Sequence, residues 1–324
     1  MSGGMIPMSQ ATTTLTADDG TLLSLTRHGN GDAPSAVLLC HGFIQNSRAW
    51  NVPSRSFIDA LVEDGHAVYA VNLRGRTLGA APGPLSHDLK DTVDNDAVAL
   101  VDAIRGRHAR LAWVGHSMGG LIGSTLNVDT ARHLSAVVAI GTPLVPGRSP
   151  LHHRPITFPL MQFGRSMGRR KIAFDGAAYA KSFVVGRQLM DHPLPATLAP
   201  LPLWHAGAFS NDADLRYTLE NAFDADSHNV FADLVDMIAS KGARAGRLPV
   251  RERLQLVTAP MLAIGGRHDA LAPAETVEAL LAGTNSRAPK FVAVDAGHID
   301  LLVGDAAPST VWAPTRAYLR EHLA

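Results

Sequence analysis

Cysteine is almost absent from this sequence, Cys40 being the only one in 324 residues. A single thiol excludes an internal disulfide framework and any Cys-x-x-Cys metal site. Net charge is missing too: 29 basic residues balance 29 acidic ones. With no long basic run, nothing drives binding to a polyanion, and no nucleic-acid partner is expected. No apolar run approaches the roughly 18 residues that a membrane span requires. The opening stretch lacks a basic head followed by an apolar segment, so it does not read as a secretory signal. A cytoplasmic protein is the expectation, with a trimmed, secreted mature form as the alternative. There is no P-loop, no Gly-x-Gly-x-x-Gly after the first strand and no His-Glu-x-x-His, so no cofactor is expected.

What is present is an ordinary globular balance, 46% hydrophobic and 18% charged. The length suits one domain carrying a large insertion, with enough buried surface to fold without disulfides or a structural metal. Short apolar runs recur at 35–42, 66–75, 110–117, 134–143, 260–269 and 290–298, each ending in a Gly-containing loop. Runs this short and rich in Val and Ile suit strands buried on both faces. Between them lies the helical period: Val93, Ala97, Leu100, Val101 and Ile104 after Asp91, or Phe57, Ile58, Leu61 and Val62 in a helix opened by Pro53 and Ser54. Pro273 opens another, carrying Val277, Leu280 and Leu281. Such alternation implies an α/β fold with a mostly parallel sheet. Near the start, residues 12–29 alternate about an Asp-Gly turn, as an antiparallel edge hairpin would.

The alternation fails between about Val145 and Val257, where Pro, Met and Phe cluster and only scattered helical patterns occur, such as Phe231, Leu234, Val235 and Ile238. This interval is expected to be a helical cap inserted after the fourth parallel strand. The division is core 1–145, cap 146–255 and core 256–324.

The most specific signal is Gly115-His116-Ser117-Met118-Gly119-Gly120, directly after one apolar run and directly before a helical one. A Ser at the apex of so tight a strand-to-helix turn is held in strained geometry, and its neighbours two residues away must be tiny. The turn also sets Ser117 at a helix N-terminus, where developing negative charge is favoured. Attack on an ester builds charge on oxygen, which fixed backbone N–H groups stabilise. Met118, after the nucleophile, supplies one donor, and Phe43, in the His-Gly turn after Cys40, supplies the other. His41 is then a brace for that turn, and Cys40 a small buried hydrophobe.

A serine hydroxyl needs a base, and imidazole titrates near neutrality. Among 15 His, position selects His298, at the C-terminal end of the last apolar run. The acid that orients it is Asp269, ending the run before, with Asp295 and Asp300 as rivals flanking His298. His268 is expected to be exposed and passive. His152 and His153 could bind a metal but lack a third ligand at useful spacing, so no metal site is assigned.

The core, about 13–145 and 256–324, resembles the α/β-hydrolase superfamily. Three details are similar to its acid lipase branch: HGFIQNSRAW with the following Asn51-Val52-Pro53-Ser54, the Asn72-Leu73-Arg74-Gly75 loop, and the stretch from Gly297 to Pro308. The resemblance implies an α/β-hydrolase fold, a triad of Ser117, Asp269 and His298, and an oxyanion hole at Phe43 and Met118. Met118 departs from that branch's usual Gln, and the cap shows no clear match, so fold and chemistry carry over while lipase specificity does not. The core is also similar to polyhydroxyalkanoate synthases, whose nucleophile is Cys; Ser117 weighs against that role.

The expected activity is a serine hydrolase cleaving medium-sized apolar carboxylic esters through an acyl-enzyme. Cap residues such as Phe158, Met161, Phe163, Met167, Trp204 and Phe209 could line an acyl pocket or merely pack the cap. Arg165, Arg169, Arg170 and Lys171 form a basic cluster, read as a solvated face, with an acidic or CoA-bearing substrate as the alternative. Thioester hydrolysis or acyl transfer would use the same residues. A cofactor-free haloperoxidase-like enzyme or a non-catalytic binding protein are further alternatives. Epoxide or haloalkane hydrolysis is disfavoured because it needs a carboxylate where Ser117 stands. Oligomeric state is not legible.

Overall fold

The computed structural model describes residues 10–76, 85–146, 173–175, 178, 204–205 and 207–324. Eight strands make one sheet: β1 (Gln10–Thr16), β2 (Leu22–His28), β3 (Ser35–Cys40), β4 (Ala67–Asn72), β5 (Arg110–His116), β6 (Ala136–Ile140), β7 (Met261–Gly266) and β8 (Pro289–Val294). Their order is β1-β2-β4-β3-β5-β6-β7-β8. The β1–β2 and β2–β4 pairings are antiparallel, and every other pairing is parallel. All six apolar runs are strands, and the alternating stretch near the start is the edge hairpin, its turn closed by Gly20 with φ 82°.

Strands β3 to β7 are apolar on both faces because both faces are covered. β8, expected to be buried likewise, is the edge strand and is only partly buried, and β1 at the other edge is exposed. Ala36, Leu38 and Cys40 of β3 enter one core cluster while Val37 and Leu39 enter the other, the period-two alternation of a strand. Helices α1 (Phe57–Glu63) and α7 (Ala313–Leu323) pack on the second cluster. Helices α2 (Ala97–Arg105), α3 (Met118–Ser124) and α6 (Ala274–Ala282) pack on the first.

Two helix starts differ from expectation. Pro53 and Ser54 do not begin a helix; they turn a small hairpin between Asn51–Val52 and Arg55–Ser56. The helix begins at Phe57 because Ser56 caps it, accepting the Asp59 N–H. The helical run before α2 starts at Leu89, two residues ahead of Asp91, where Asp88 and Asp91 form a reciprocal capping box. Asp96, just ahead of α2, is buried and gripped by Arg74, whose Nε lies 2.7 Å from its carboxylate.

After β6, the fourth parallel strand, the chain leaves the sheet and returns at β7. The described part of this insertion holds α4 (Asp212–Asn221), α5 (His228–Ala239) and a short strand, Ala225–Ser227, paired antiparallel with Ala173–Asp175. Leu215 and Leu219 of α4 join one core cluster and Val230 and Met237 of α5 the other. Residues from Phe158 to Met167, the His152–His153 pair and the basic residues Arg165 to Lys171 lie outside the described residues. Among the described residues no helix is long and apolar enough to cross a membrane.

Candidate active site

β5 ends at His116 and α3 begins at Met118, so Ser117 alone makes the turn, with φ 52° and ψ −119°. A non-glycine residue in such a region costs about 1–3 kcal/mol and persists only where its surroundings fix it. Here the Ser117 N–H donates to the Ile140 carbonyl at 2.8 Å, and the Ser117 carbonyl accepts from Thr142 Oγ1 at 3.0 Å and from the Gly120 and Leu121 N–H groups at 3.1 Å. The flanking glycines serve close approach. A Cβ on Gly119 would overlap the carbonyls of Cys40 and His41, and one on Gly115 would overlap the backbone of Gly119 and Gly120. The elbow is thus jammed against the end of β3.

His298 and Asp269 meet in a 2.7 Å hydrogen bond from Nδ1 to Oδ2. The other carboxylate oxygen of Asp269 accepts the N–H groups of Leu271 and Ala272 at 2.8 and 2.7 Å, which leaves Oδ2 aimed at the imidazole. Both residues are buried. The rival acids are engaged elsewhere. Asp300 accepts the N–H groups of Gly297 at 2.8 Å and His205 at 3.2 Å, and its burial pushes the carboxyl above its usual range. Asp295 pairs with His268 at 2.6 Å. His268, expected to be passive, also stacks face to face on His205 with ring centres 3.9 Å apart, tying the loop of Asp269 to the insertion.

Ser117, Asp269 and His298 each follow the C-terminal end of a strand, β5, β7 and β8 respectively. His116, next to Ser117, has its ring 4.7 Å from that of His298 and its Nε2 3.0 Å from the His298 carbonyl oxygen. Gly141, following the Ile140 that holds Ser117, sits where an added Cβ would lie 3.4 Å from Asp269 Oδ2 and 3.5 Å from His298 Nδ1.

The loop after β3 closes the remaining side. A Cβ on Gly42 would lie 3.2 Å from that of Ser117, so the Gly42–Phe43 turn sits against the elbow. His41 is fully buried, with Nδ1 2.9 Å from the Gly42 carbonyl oxygen and Nε2 accepting the Leu73 N–H at 3.3 Å. Burial and the nearby Arg76 charge lower its pKa to about 3, so it stays neutral and braces the turn. Gln45 Oε1 accepts the Gly42 N–H at 3.0 Å and faces His116 Nδ1 at 2.9 Å. Burial holds the His116 pKa well below an ordinary imidazole's, so the ring is neutral and donates its single N–H to one of its two oxygens. Burial also raises the Cys40 thiol far above its usual range, making it inert. Among the described residues no group of three His, Cys, Asp or Glu is placed to hold a metal.

The model of the alpha/beta hydrolase fold family matches residues 35–305. The chain belongs to this family. An esterase from Thermogutta terrifontis superposes with a TM-score of 0.64 at 20% identity, covering 98% of this chain and 100% of that one. An enol-lactonase from Burkholderia xenovorans gives 0.61 at 20%, covering 95% and 100%. Likeness at this identity speaks for the fold alone. An epoxide hydrolase from Caballeronia sordidicola is 30% identical over 129 residues, 40% of this chain and 36% of that protein. The chain spans between 21% and 41% of the length of the curated relatives it matches.

In this α/β-hydrolase several site residues carry no strong sequence signal. His116 lies inside the elbow motif and Gln45 inside the segment after β3, yet only their shared contact reveals that they join the two. Arg76 follows the Asn-Leu-Arg-Gly loop, and Asp226 sits in the insertion with no pattern around it.

Proposed function

We propose that this α/β-hydrolase is a serine hydrolase that cleaves carboxylic esters through an acyl-enzyme. The observation that carries the reading is the strained Ser117 set at the same strand ends as a buried His298–Asp269 pair. In the mechanism, Ser117 Oγ attacks the ester carbonyl while its proton passes to His298 Nε2. Asp269 accepts the Nδ1–H, fixing the tautomer and stabilising the imidazolium that forms. The carbonyl oxygen, now anionic, takes hydrogen bonds from the N–H groups of Phe43 and Met118, each worth about 3–4 kcal/mol. His298 returns the proton to the departing alcohol. A water then repeats the sequence on the acyl-enzyme, releasing the acid and restoring Ser117. Side chains and water suffice, with no cofactor.

A medium apolar acyl group fits the Met and Phe content of the insertion and the Phe43–Phe231 ring pair, 6.2 Å apart beside the oxyanion loop. Two similar structures are named as an esterase and an enol-lactonase, which agrees with acyl chemistry. The epoxide hydrolase relative points elsewhere, but that reaction needs a carboxylate nucleophile and this chain has the Ser117 hydroxyl there.

Incubation with a fluorophosphonate probe should modify Ser117 alone, and p-nitrophenyl acyl esters should be hydrolysed. Ser117→Ala should lose both properties with an unchanged circular dichroism spectrum. A wild-type protein that is not labelled and leaves short, medium and long acyl esters intact would overturn the proposal.

A further inference from the structure

Ile44 follows the proposed oxyanion donor Phe43 and has φ 53°, in the left-handed region that β-branched residues avoid. Such a conformation needs external support. The support comes from the insertion, more than 170 positions along the chain. The Ile44 N–H donates to Asp226 Oδ2 at 3.3 Å, and the Ile44 carbonyl accepts the Asp224 N–H at 2.8 Å. Beyond it, Gln45 bridges antiparallel to Phe223, and the Asn46 N–H donates to the Ala222 carbonyl at 3.1 Å.

Asp226 is itself locked. Arg76 Nη2 donates to the same Oδ2 at 2.6 Å, while Nε of the same guanidinium donates to the Gln45 carbonyl at 2.6 Å and Nη1 to the Ala225 carbonyl at 3.0 Å. The other carboxylate oxygen accepts the Ser227 N–H at 2.7 Å and lies 3.3 Å from His87 Nε2. The Arg76 and Asp226 side chains are each 1% exposed. A buried ion pair is a poor stability device, since well-packed apolar residues serve as well. What this pair supplies instead is geometry. One carboxylate gathers N–H donors from the oxyanion loop, the loop after β4 and the insertion, and one guanidinium clamps the carbonyl next along that loop.

We propose that Asp226 is a positioning residue for the oxyanion hole: from the insertion, and with Arg76, it holds Ile44 and Gln45 so that the Gly42–Phe43 turn, which carries the proposed donor, keeps its place against the elbow. This rests on the serine-hydrolase reading above. Gln45 Oε1 also faces His116, whose ring packs 4.7 Å from that of His298, so buried packing runs from the anion-binding loop toward the base loop.

The full-length chain is tested as Asp226→Leu, nearly isosteric and without an acceptor, and as Asp226→Asn, which keeps an oxygen for the Ile44 N–H. Hydrogen–deuterium exchange over residues 41–46 needs no turnover. In Asp226→Leu it should speed up by about tenfold or more while β5 stays protected. On a p-nitrophenyl ester, kcat per fluorophosphonate-titrated site should fall about 30-fold, part of the effect of losing one oxyanion donor, with KM within about twofold. Asp226→Asn should return kcat to within about fivefold of wild type, a rescue that a purely structural role does not give. Should Asp226→Leu not fold, Arg76→Lys, which loses the guanidinium fork, should give the same pattern on a smaller scale. Unchanged exchange over 41–46 in the folded variants would overturn the proposal, as would a loosened loop with wild-type kcat per site. If the wild type neither labels nor turns over, the serine-hydrolase reading fails by itself, and the exchange experiment still decides whether Asp226 holds the loop.

Discussion

Ser117 and Ile44 both carry a positive φ, 52° and 53°, yet they are held by opposite means. Ser117 is fixed locally, by glycines that let the elbow jam against β3 and by hydrogen bonds from the adjoining strand end and its own helix. Ile44 is fixed at long range, by carboxylate and backbone groups of the insertion. On the proposed reading the nucleophile is a property of the core, whereas the anion-binding loop depends on the insertion being folded onto it. Changes in the elbow should destroy chemistry outright; changes in the insertion should weaken it while leaving the nucleophile in place.

The largest expected effects lie on the core side. Ser117→Ala should lower kcat by about 10⁴-fold or more, and Asp269→Asn by about 10³- to 10⁴-fold, because the asparagine favours the wrong imidazole tautomer. Steady-state kinetics on a p-nitrophenyl ester read both; a nearly active Asp269→Asn would shift the acid's role to Asp295 or Asp300. Next, Gly119→Ala forces a methyl into the Cys40 carbonyl and should cost about 1–3 kcal/mol in urea unfolding, together with most of the activity. An unaffected variant would show that the elbow is not jammed.

Smaller effects follow from the buried imidazoles. The His41 pKa is lowered from 6.5 to about 3 and that of His116 is lowered well below 6.5, so each takes up a proton only on unfolding. Their contribution to stability is complete above pH 6.5 and is lost as pH falls through that value toward the folded pKa. Unfolding free energy should then drop by about 1.4 kcal/mol per pH unit for each such group. Urea titrations at pH 7, 6 and 5 check the slope, and a flat response would contradict the burial of neutral rings. The smallest effect is expected from Asp295→Asn, which breaks an exposed pair and should change kcat by less than about fivefold. A larger loss would move the comparison outward, to the stacked His205 and His268.

The parts of this molecule legible in its sequence are those fixed by neighbours in the chain. Strands β3 to β7, covered on both faces, must be apolar along their length, which made five of the runs visible; β8, at the edge, is only partly buried but keeps Phe291, Val292, Ala293 and Val294, and the Asp-Gly turn marked the edge hairpin. The elbow announced itself because the turn demands Gly115 and Gly119 at fixed offsets, and chain order at the strand ends singled out Asp269 and His298. What escaped was set by distant partners. Ser56 as the helix cap, after a hairpin turned by Pro53 and Ser54, competes with a plausible earlier start. The stacking of His268 on His205 depends on a contact across the fold. Asp226 stands in Ala-Asp-Ser, a context with no periodicity or motif, and its role exists only once the insertion is laid against the loop after β3.

Acid-quench mass spectrometry during turnover of a slow p-nitrophenyl ester tests the central claim most directly. The intact protein should gain the mass of one acyl group, mapped to the peptide carrying Ser117 and missing in Ser117→Ala. Turnover with no acyl adduct, or with the adduct on another residue, would contradict it.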